Sequence, residues 1–344
     1  MAGAFSGEAA KNIPIDFSSV ETLPESRTSS NNFSDVVDDM SMSIPVVDLQ
    51  DPNAMKSISH ACGEWGAFQL KNHGIPLSLL KEVDDEIKRF FSLPTEQKEK
   101  GARAPGSISG YGSPKLKPFF SNAQWHEGFV IMSSRYDDVK KVFPEDDCAR
   151  FCETMEEIQK KLKLLVEKVT TIILELLGAR GEEEKWAKTD NYALKMYKYP
   201  TCPATDRILG LDPHRDTSIV TFLHQTQVEA KTGNEIRAED QTRGFQVFKE
   251  GIGWVPVQMD SNMFVVIVGD VLEILSNGRF KSNLHRVTVS ETAYRYSYAY
   301  FQRLSREDLL CPIGSPPRFR AITLGEYDVV KFKDPHNALA SISI

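Results

Sequence analysis

The chain has 344 residues, of which 41% are hydrophobic and 26% are charged, a composition typical of a folded globular protein. Its formal net charge of -7 argues against nucleic acid or an anionic membrane surface as the main partner. The five cysteines are few, odd in number and scattered, which fits reduced thiols better than a disulfide framework. No apolar run approaches the roughly 18 residues of a membrane span, and the N-terminus lacks the features of a secretory signal. We therefore expect a cytoplasmic protein.

The N-terminal half alternates between polar segments and short regular elements. Residues 1–42 are rich in Ser and Asn and predict an extended or partly disordered arm. Strand signals follow over 43–49 and within WGAFQLKNHGI. Between Pro76 and Pro94, apolar residues recur at helical spacing and predict an amphipathic helix. The segment 101–122 is rich in Gly, Ser and Pro, and it predicts a long loop of the kind that often forms a pocket wall.

The C-terminal half changes from helix to strands. The stretch ETMEEIQKKLKLLVEKVTTIILELLGARG predicts a long helix that ends at Gly178 or Gly181. From about Tyr192, short β-rich runs are separated by turns of Gly, Asn or Asp, and this predicts a sandwich or barrel. We expect helices packed around one β core. The predicted regions are an arm (1–42), a helix and strand region (43–190), the β core (191–304) and a C-terminal segment with a helix (305–344).

Three side chains have the chemistry of a metal site. In LDPHRDTSIVTFLHQ, His214 and Asp216 lie two residues apart beside a strand-like run. On an extended backbone such residues point to the same face, so both can bind one ion. His285 begins another strand-like run and offers a third ligand. Two His and one carboxylate form the facial triad of non-haem Fe(II) oxygenases. Catalytic zinc is the alternative, but this motif contains no obvious general base.

A second pair of residues suggests a carboxylate-binding site. Arg295 and Ser297 are two residues apart in the strand-like run RYSYAYF, so both point to one face. A guanidinium and a hydroxyl on one face can bind a carboxylate. An iron site with open positions can take 2-oxoglutarate, whose 2-oxo acid end chelates the metal while its distal carboxylate reaches this pair. Together, the triad and this pair predict an oxygenase that uses iron, 2-oxoglutarate and O2.

Five motifs then indicate a family. They are CGEWGAFQLKNHGI, YPTCP, PHRDTSIVTFLHQ, GDVLEILSNGRFKSNLHRV and RYS. In this content and order the chain resembles the plant soluble Fe(II)/2-oxoglutarate-dependent dioxygenases, the isopenicillin N synthase-like family, over nearly its whole length. The resemblance implies a mixed α and β protein with a double-stranded β-helix core, a jelly roll of the cupin type, flanked by helices and preceded by a long helix and strand region. It implies iron on His214, Asp216 and His285.

The resemblance also implies how co-substrate and substrate bind. It assigns 2-oxoglutarate to Arg295 and Ser297, with a hydrogen bond from Tyr199, and it makes succinate and CO2 the co-products, with ascorbate in support. Three aromatic residues are expected to line the substrate pocket of a monomeric enzyme that acts on a small molecule. These residues are Trp125, Phe129 and Phe301.

The branch of the family is indicated less sharply. GYGSPKLKPFFSNAQWHEGFVI and the C-terminal stretch look most like gibberellin 3-oxidases. Three features depart from the family pattern: Arg215 replaces Thr, Tyr197 replaces Asn, and the polar turn over 228–243 is long. The expected substrate is therefore a small apolar plant metabolite, either a specialised metabolite such as an alkaloid or a gibberellin-type diterpenoid, oxidised by hydroxylation or a related reaction. A metabolite-binding protein without turnover is the rival class.

Overall fold

The computed structural model describes residues 36–37, 42–112, 124–179, 181–226, 228–230 and 244–344. Most of the predicted N-terminal arm, the second half of the Gly-rich loop and most of the long polar turn lie outside these ranges. Among the described residues, no helix has both the length and the apolar character that crossing a bilayer requires.

Short strands separated by helices make up the described chain. The helices are α1 (Ala54–Glu64), α2 (Leu77–Ser92), α3 (Thr95–Glu99), α4 (Asp137–Val142), α5 (Glu145–Leu177), α6 (Asp270–Leu275) and α7 (Leu324–Lys333), with 3-10 turns over Gly181–Ala187 and Ala340–Ile342. The strands are β1 (Val46–Asp48), β2 (Ala67–Lys71), β3 (Gly110–Tyr111), β4 (Glu127–Met132), β5 (Asn191–Tyr199), β6 (Leu209–His214), β7 (Val220–Gln225), β8 (Glu229–Ala230), β9 (Phe245–Lys249), β10 (Gly253–Pro256), β11 (Phe264–Val268), β12 (His285–Thr288), β13 (Ala293–Arg303), β14 (Leu309–Leu310) and β15 (Ile322–Thr323).

Two sheets form the β core. The larger has the order β1-β2-β11-β7-β13-β5-β4-β3, with β8 paired to β13, and the smaller has the order β10-β9-β12-β6. All these pairs are antiparallel except β1 with β2. An apolar cluster with side chains from both sheets, such as Val247, Val265 and Val287, packs between them. This is the jelly roll that the sequence predicts, and the N-terminal region adds four strands to its larger sheet.

Proline and glycine set the ends of the two long helices. Pro76 and Pro94 bracket α2 as predicted, because proline starts a helix readily and disfavours helical backbone in the residue before it. Helix α5 begins after Pro144, earlier than the predicted stretch, and ends at Gly178, whose φ of 73° is left-handed. Glycine adopts that conformation without a steric penalty. Gly178 is thus the helix end, and Gly181 lies beyond it.

Side chains of β5 and β13 point alternately to the helix-facing core and to the space between the two sheets. Leu194, Met196 and Tyr298 belong to the core that the larger sheet shares with α2 and α5. Tyr197 and Ser297, which are a register pair of these strands, point to the opposite side and line a cavity between the sheets. Because side chains alternate along a strand, the cavity-facing residues of β5, β7, β11 and β13 are separated by residues that face the helices. The fold therefore seals one face of the sheet with helices and leaves the other for chemistry.

Gly66 and Gly74 provide a test of the packing around β2. Both have positive φ, 65° and 81° respectively. A Cβ on Gly66 would lie 2.1 Å from the Lys281 carbonyl oxygen, whereas a Cβ on Gly74 would meet nothing within 4 Å. Gly74→Ala should lower the free energy of unfolding by about 1–2 kcal/mol, the strain of a left-handed residue. Gly66→Ala should cost about 4 kcal/mol or more, because backbone must also move. Urea unfolding of both variants measures the difference, and equal losses would contradict the described packing.

Candidate active site

The two histidines of the predicted triad are brought together by strand pairing. His214 ends β6, His285 begins β12, and the two are a register pair of the smaller sheet. The Asp216 Oδ1 atom lies 3.7 Å from His214 Nε2 and 3.9 Å from His285 Nε2. One ligand atom from each residue lies within 4.8 Å of the others, an arrangement that could hold a metal ion. The structure therefore places these three side chains around one point at the cavity.

The backbone at Asp216 differs from the expected extended strand. Strand β6 stops at His214, and Asp216 lies in the following loop. The loop is held by hydrogen bonds: Thr221 Oγ1 donates to Asp216 Oδ2 at 2.6 Å, and the Asp270 backbone N–H donates to the Asp216 carbonyl at 2.8 Å. The side chains of His214 and Asp216 therefore converge as predicted. They do so because hydrogen bonds hold the loop in place, and not because β6 continues to Asp216.

Hydrogen bonds and burial give the triad the ionisation that a metal needs. The Nδ1 atoms of His214 and His285 lie 2.8 Å and 3.1 Å from the backbone carbonyls of Asp212 and Asn283. If each Nδ1 carries the proton that this acceptor favours, each Nε2 has a free lone pair beside Asp216. Burial, together with the neighbouring imidazole, lowers the pKa of His214 to about 3.

The same surroundings affect the other two ligands. Burial lowers the pKa of His285 despite the opposing effect of Asp216. Burial acts to raise the pKa of Asp216, but the two histidines and the Thr221 hydroxyl outweigh it and hold that pKa below its usual value. Two neutral imidazoles and one carboxylate are the protonation states that ligate Fe(II), so the residues present fit the ion.

A buried carboxylate supports the triad from behind. Asp270, at the start of α6, is 1% exposed. It accepts hydrogen bonds from Ser282 Oγ at 2.6 Å and Tyr327 Oη at 2.7 Å, and it forms an ion pair with Lys331. Tyr327 and Lys331 lie on α7, one turn apart. Three donors compensate the burial of the charge, so the C-terminal helix is tied firmly to the core.

The same network reaches the loop between His214 and Asp216. Lys331 Nζ donates to the Arg215 carbonyl at 2.8 Å. The Arg215 guanidinium in turn donates to the carbonyl of Ser282, three residues before His285. Arg215, a departure from the family pattern, thus joins the two segments that carry the triad. Tyr327 and Lys331 were not predicted to support the site, although their four-residue spacing on a predicted helix places both side chains on one helix face.

The cavity beside the triad lies between the two sheets, and the space within and in front of it, which includes open solvent, is about 490 Å³. Its wall is mostly apolar away from the triad and the hydroxyl groups of Tyr199 and Ser297. The lining residues are Tyr197, Tyr199, Leu211, His214, Asp216, Thr221, Leu223, Gln225, Phe245, Met259, Ile267, His285, Val287, Ser297, Ala299 and Phe301.

The predicted co-substrate residues meet at one end of this region. Arg295 is 3% exposed and is the register partner of Tyr199 on β5. The Tyr199 and Ser297 side chains are hydrogen-bonded, and burial raises the pKa of Tyr199, which keeps the phenol neutral and able to donate. A Cβ on Gly244 would lie 2.8 Å from the Arg295 guanidinium, so glycine at this position leaves room for it. The structure brings together the guanidinium and two hydroxyls that a carboxylate requires.

The three aromatic residues expected at the substrate pocket lie in different places. Phe301 lines the cavity. Phe129 and Trp125 are not among the lining residues in the described part of the chain. Phe129 pairs with Met196 and packs in the helix-facing core, because its strand parity is opposite to that of the cavity residues. Trp125 donates its indole N–H to the Thr201 carbonyl at 3.1 Å and belongs to a separate apolar cluster.

Tyr197, where the family resemblance suggested Asn, is part of an aromatic wall. Its ring centroid lies 5.9 Å from that of Tyr199 and 5.4 Å from that of His126. His126 Nδ1 lies 2.7 Å from the Gly210 carbonyl, and burial lowers the pKa of His126 to about 4. His126 therefore acts as a neutral ring at neutral pH. This substitution enlarges the apolar surface beside the co-substrate residues.

Comparisons with known proteins agree with this geometry. The profile of the 2OG-Fe(II) oxygenase superfamily matches residues 190–304, and that of the N-terminal region of the non-haem dioxygenase in morphine synthesis matches residues 44–148. Gibberellin 3-beta-dioxygenase 1 of Pisum sativum is 37% identical, covering 96% of this chain and 89% of its own. Gibberellin 3-beta-dioxygenase 1 of Arabidopsis thaliana is 36% identical, covering 87% and 83%.

Solved structures support the fold. The crystal structure of JOX2 in complex with 2OG, Fe and JA has a TM-score of 0.77 at 24% identity and covers 95% of both chains. The dioxygenase for auxin oxidation from rice has a TM-score of 0.70 at 24% identity, covering 88% of this chain and 100% of the other.

Lys331 provides a test of the support behind the triad. Lys331→Met should weaken Fe(II) binding by about 10–100-fold, because it removes the donor that holds the loop between two ligands. It should also lower the free energy of unfolding by about 3–5 kcal/mol, since Asp270 keeps a buried charge. Anaerobic titration of Fe(II) measures the first effect and thermal unfolding the second. Lys333→Met, on the exposed face of the same helix, is the control. Unchanged Fe(II) affinity in Lys331→Met would contradict this role.

Proposed function

We propose, from the premise that this chain belongs to the 2OG-Fe(II) oxygenase superfamily, that it oxidises an unactivated C–H bond of a gibberellin-type diterpenoid. The chain is a 2-oxoglutarate-dependent dioxygenase that uses Fe(II). The observation that carries the residue assignment is the convergence of His214, Asp216 and His285 beside a largely apolar cavity. The relatives named gibberellin 3-beta-dioxygenases support the substrate class.

We assign the three converging side chains as the Fe(II) ligands. When bound, Fe(II) supplies the redox chemistry that couples O2 and the conversion of 2-oxoglutarate into succinate and CO2 to oxidation of the substrate. The chain contributes the neutral imidazoles and the carboxylate, with their tautomers set by backbone carbonyls. The loop carrying Asp216 is held by Thr221 and Asp270, so the ligand positions are set before the ion binds.

We assign the far carboxylate of 2-oxoglutarate to Arg295 and Ser297, with Tyr199 as a further donor. The guanidinium offers paired N–H groups to the carboxylate, and burial strengthens their electrostatic attraction. The apolar cavity wall, including Leu223, Phe245 and Val287, excludes water and contacts the substrate skeleton. Phe301 is proposed as a substrate contact on the same wall. The positions of Trp125 and Phe129 give their predicted contact with substrate no support.

A second substrate class, another apolar plant metabolite such as an alkaloid, is favoured by one observation. Tyr197 lines the cavity where the family resemblance suggested Asn. The rival class of a non-catalytic binding protein is not favoured, because the triad and the co-substrate residues are all present. A zinc hydrolase disagrees with the family to which the chain belongs.

We propose that the enzyme works as a cytoplasmic monomer on a small molecule. The net charge of -7 supports neither nucleic acid nor an anionic membrane as a partner. All five cysteines are free thiols, as expected in a reducing compartment. Light scattering after size-exclusion chromatography would measure the mass of the particle, and localisation of a fluorescent fusion would test the compartment.

A turnover screen tests the proposed activity. Purified protein with Fe(II), ascorbate and 2-oxoglutarate is incubated with gibberellin precursors and plant alkaloids, and succinate and product masses are measured. We expect a gibberellin precursor to gain one oxygen or lose two hydrogens, with one succinate formed per product. If only alkaloids are oxidised, the substrate class is that of specialised metabolism and not the gibberellins. Absence of succinate formation with every compound, in protein shown to bind Fe(II), would contradict the proposed activity.

Substitutions at the triad test the metal assignment. His214→Ala, Asp216→Ala and His285→Ala should each abolish iron-dependent turnover and lower Fe(II) content, because three ligands are the minimum of this site. Metal analysis after anaerobic loading measures the content, and circular dichroism checks that each variant folds. A variant that retains full Fe(II) content and turnover would remove that residue from the ligand set.

Arg295 tests the co-substrate assignment. Arg295→Ala should weaken 2-oxoglutarate binding by about 2–5 kcal/mol, because a buried carboxylate loses its paired donors. Arg295→Lys keeps the charge without the planar fork and should lose less. Titration of 2-oxoglutarate into the anaerobic Fe(II) protein measures both. An unchanged dissociation constant in Arg295→Ala would show that another group binds the distal carboxylate.

A further inference from the structure

We propose that Lys195 is an anion-binding residue at the second end of the cavity, and that the substrate carries a carboxylate that pairs with it. This inference rests on the proposed oxygenase function and narrows its substrate class. It assigns to Lys195 a role distinct from that of Arg295, which is reserved for 2-oxoglutarate.

Strand geometry places Lys195 on the cavity side of the larger sheet. It lies two residues from Tyr197 and four from Tyr199 on β5, and both tyrosines line the cavity. Its register partner on β13 is Ala299, another lining residue. Side chains two residues apart on a strand share a face, so Lys195 points toward the cavity as these residues do.

The contact of the Lys195 side chain confirms its direction. Its Nζ atom lies 4.3 Å from the centroid of the Phe301 ring, and Phe301 lines the cavity. An ammonium over an aromatic face gains a modest cation–π attraction, which offsets only part of the loss of water. The ammonium therefore lies against a ring that lines the cavity, although Lys195 is not itself one of the lining residues.

Among the described residues, the two buried lysines are each paired with a carboxylate. Lys331 pairs with Asp270, and Lys98 pairs with Glu127. Lys198, on the opposite face of β5, lies 3.3 Å from Glu127. Among the described residues, no carboxylate forms an ion pair of this kind with Lys195. Lys195 is only partly buried on the cavity side of β5, so its ammonium can take a carboxylate supplied by a ligand as its ion-pair partner.

The electrostatic surroundings keep this end of the cavity positive. Burial lowers the pKa of Lys195 to about 8, an effect opposed by Asp216 and enhanced by Arg303 and Arg103. The side chain therefore remains mostly protonated at pH 7. Burial also lowers the pKa of His126, and both Arg103 and Lys195 add to that effect, so two cations act on the same region. Such a field attracts an anion and repels a cation.

The co-substrate site lies at a distance from Lys195. Arg295 is opposite Tyr199, and Lys195 is four residues from Tyr199 along β5. At about 3.4 Å per residue, the two cationic positions are separated by about 14 Å along the strand direction. One cation serves 2-oxoglutarate and the other serves the substrate. The ligand that fits is an apolar skeleton with one carboxylate, which favours a diterpenoid acid and disfavours a basic alkaloid.

The test compares each gibberellin precursor of the turnover screen as its free acid and as its methyl ester. Binding is measured by calorimetry on the anaerobic protein loaded with Fe(II) and 2-oxoglutarate, so turnover does not enter. The acid should bind the unmodified protein about 10–100-fold more tightly than the ester, the range expected for a hydrogen bond between charged groups. Lys195→Met should remove this preference, and Lys195→Arg should restore part of it.

Lys198→Met is the matched control, because it removes the same charge from the same strand on the opposite face. It should leave the preference for the acid unchanged. Affinity for 2-oxoglutarate should be the same in Lys195→Met as in the unmodified protein. Equal binding of acid and ester, or a preference that survives Lys195→Met, would overturn the inference. So would a Lys195→Met variant that loses 2-oxoglutarate affinity instead.

The test of Lys195 and the test of the proposed oxygenase activity can fail independently of each other. If only compounds without an anionic group are oxidised in the turnover screen, the role of Lys195 is wrong while the oxygenase assignment stands. Failure to form succinate with any compound concerns the reaction itself. An acid-specific binding that depends on Lys195, in a protein without turnover, would support the site and contradict the activity.

Discussion

The buried carboxylate of Asp270 is the constraint on which the candidate active site depends. It is held by Ser282, Tyr327 and Lys331, which come from the segment before His285 and from the C-terminal helix. A buried charge with three donors has one low-energy arrangement, since loss of any donor leaves the charge incompletely compensated. The loop that carries Asp216 is attached to this arrangement by hydrogen bonds from the Asp270 backbone N–H and the Lys331 ammonium to its carbonyl groups. The position of the triad is therefore set by parts of the chain that contribute no ligand.

Alternation along the strands is the second organising feature. It assigns Met196 and Tyr298 to the helix-facing core and Tyr197, Ser297 and Phe301 to the cavity. The helices α2 and α5 seal the first face, so the second face can carry polar groups without weakening the core. The cavity then has the His-Asp-His triad in a largely apolar wall, with Arg295 beside the lining residue Tyr199 and Lys195 against the lining residue Phe301. This distribution is suited to holding two anionic small molecules together away from water.

Departures from the family pattern have different structural meanings. Arg215 is directed toward the Ser282 carbonyl and joins two segments of the metal site, so its role is one of support. Tyr197 is directed into the cavity and changes the surface that a substrate meets. The long polar turn over 228–243 falls mostly outside the described residues, and its role stays a prediction. A residue that departs from the family pattern can therefore support the site or contact a ligand. Which of the two it does depends on whether its side chain faces the cavity.

Much of this protein was determined by local sequence. Pro76, Pro94 and Gly178 set helix ends because their backbone preferences are intrinsic, and the β-rich texture predicted a sandwich or barrel, which the family resemblance specified as a jelly roll. The motifs around His214, Asp216 and His285 indicated the proposed Fe(II) ligands, although the loop geometry at Asp216 was not foreseen. Tertiary structure alone decided which way Phe129 and Trp125 face, and it brought Lys331 to Arg215 across 116 residues. Periodicity encodes backbone conformation, whereas the partner of a buried charge is settled only when distant segments pack together.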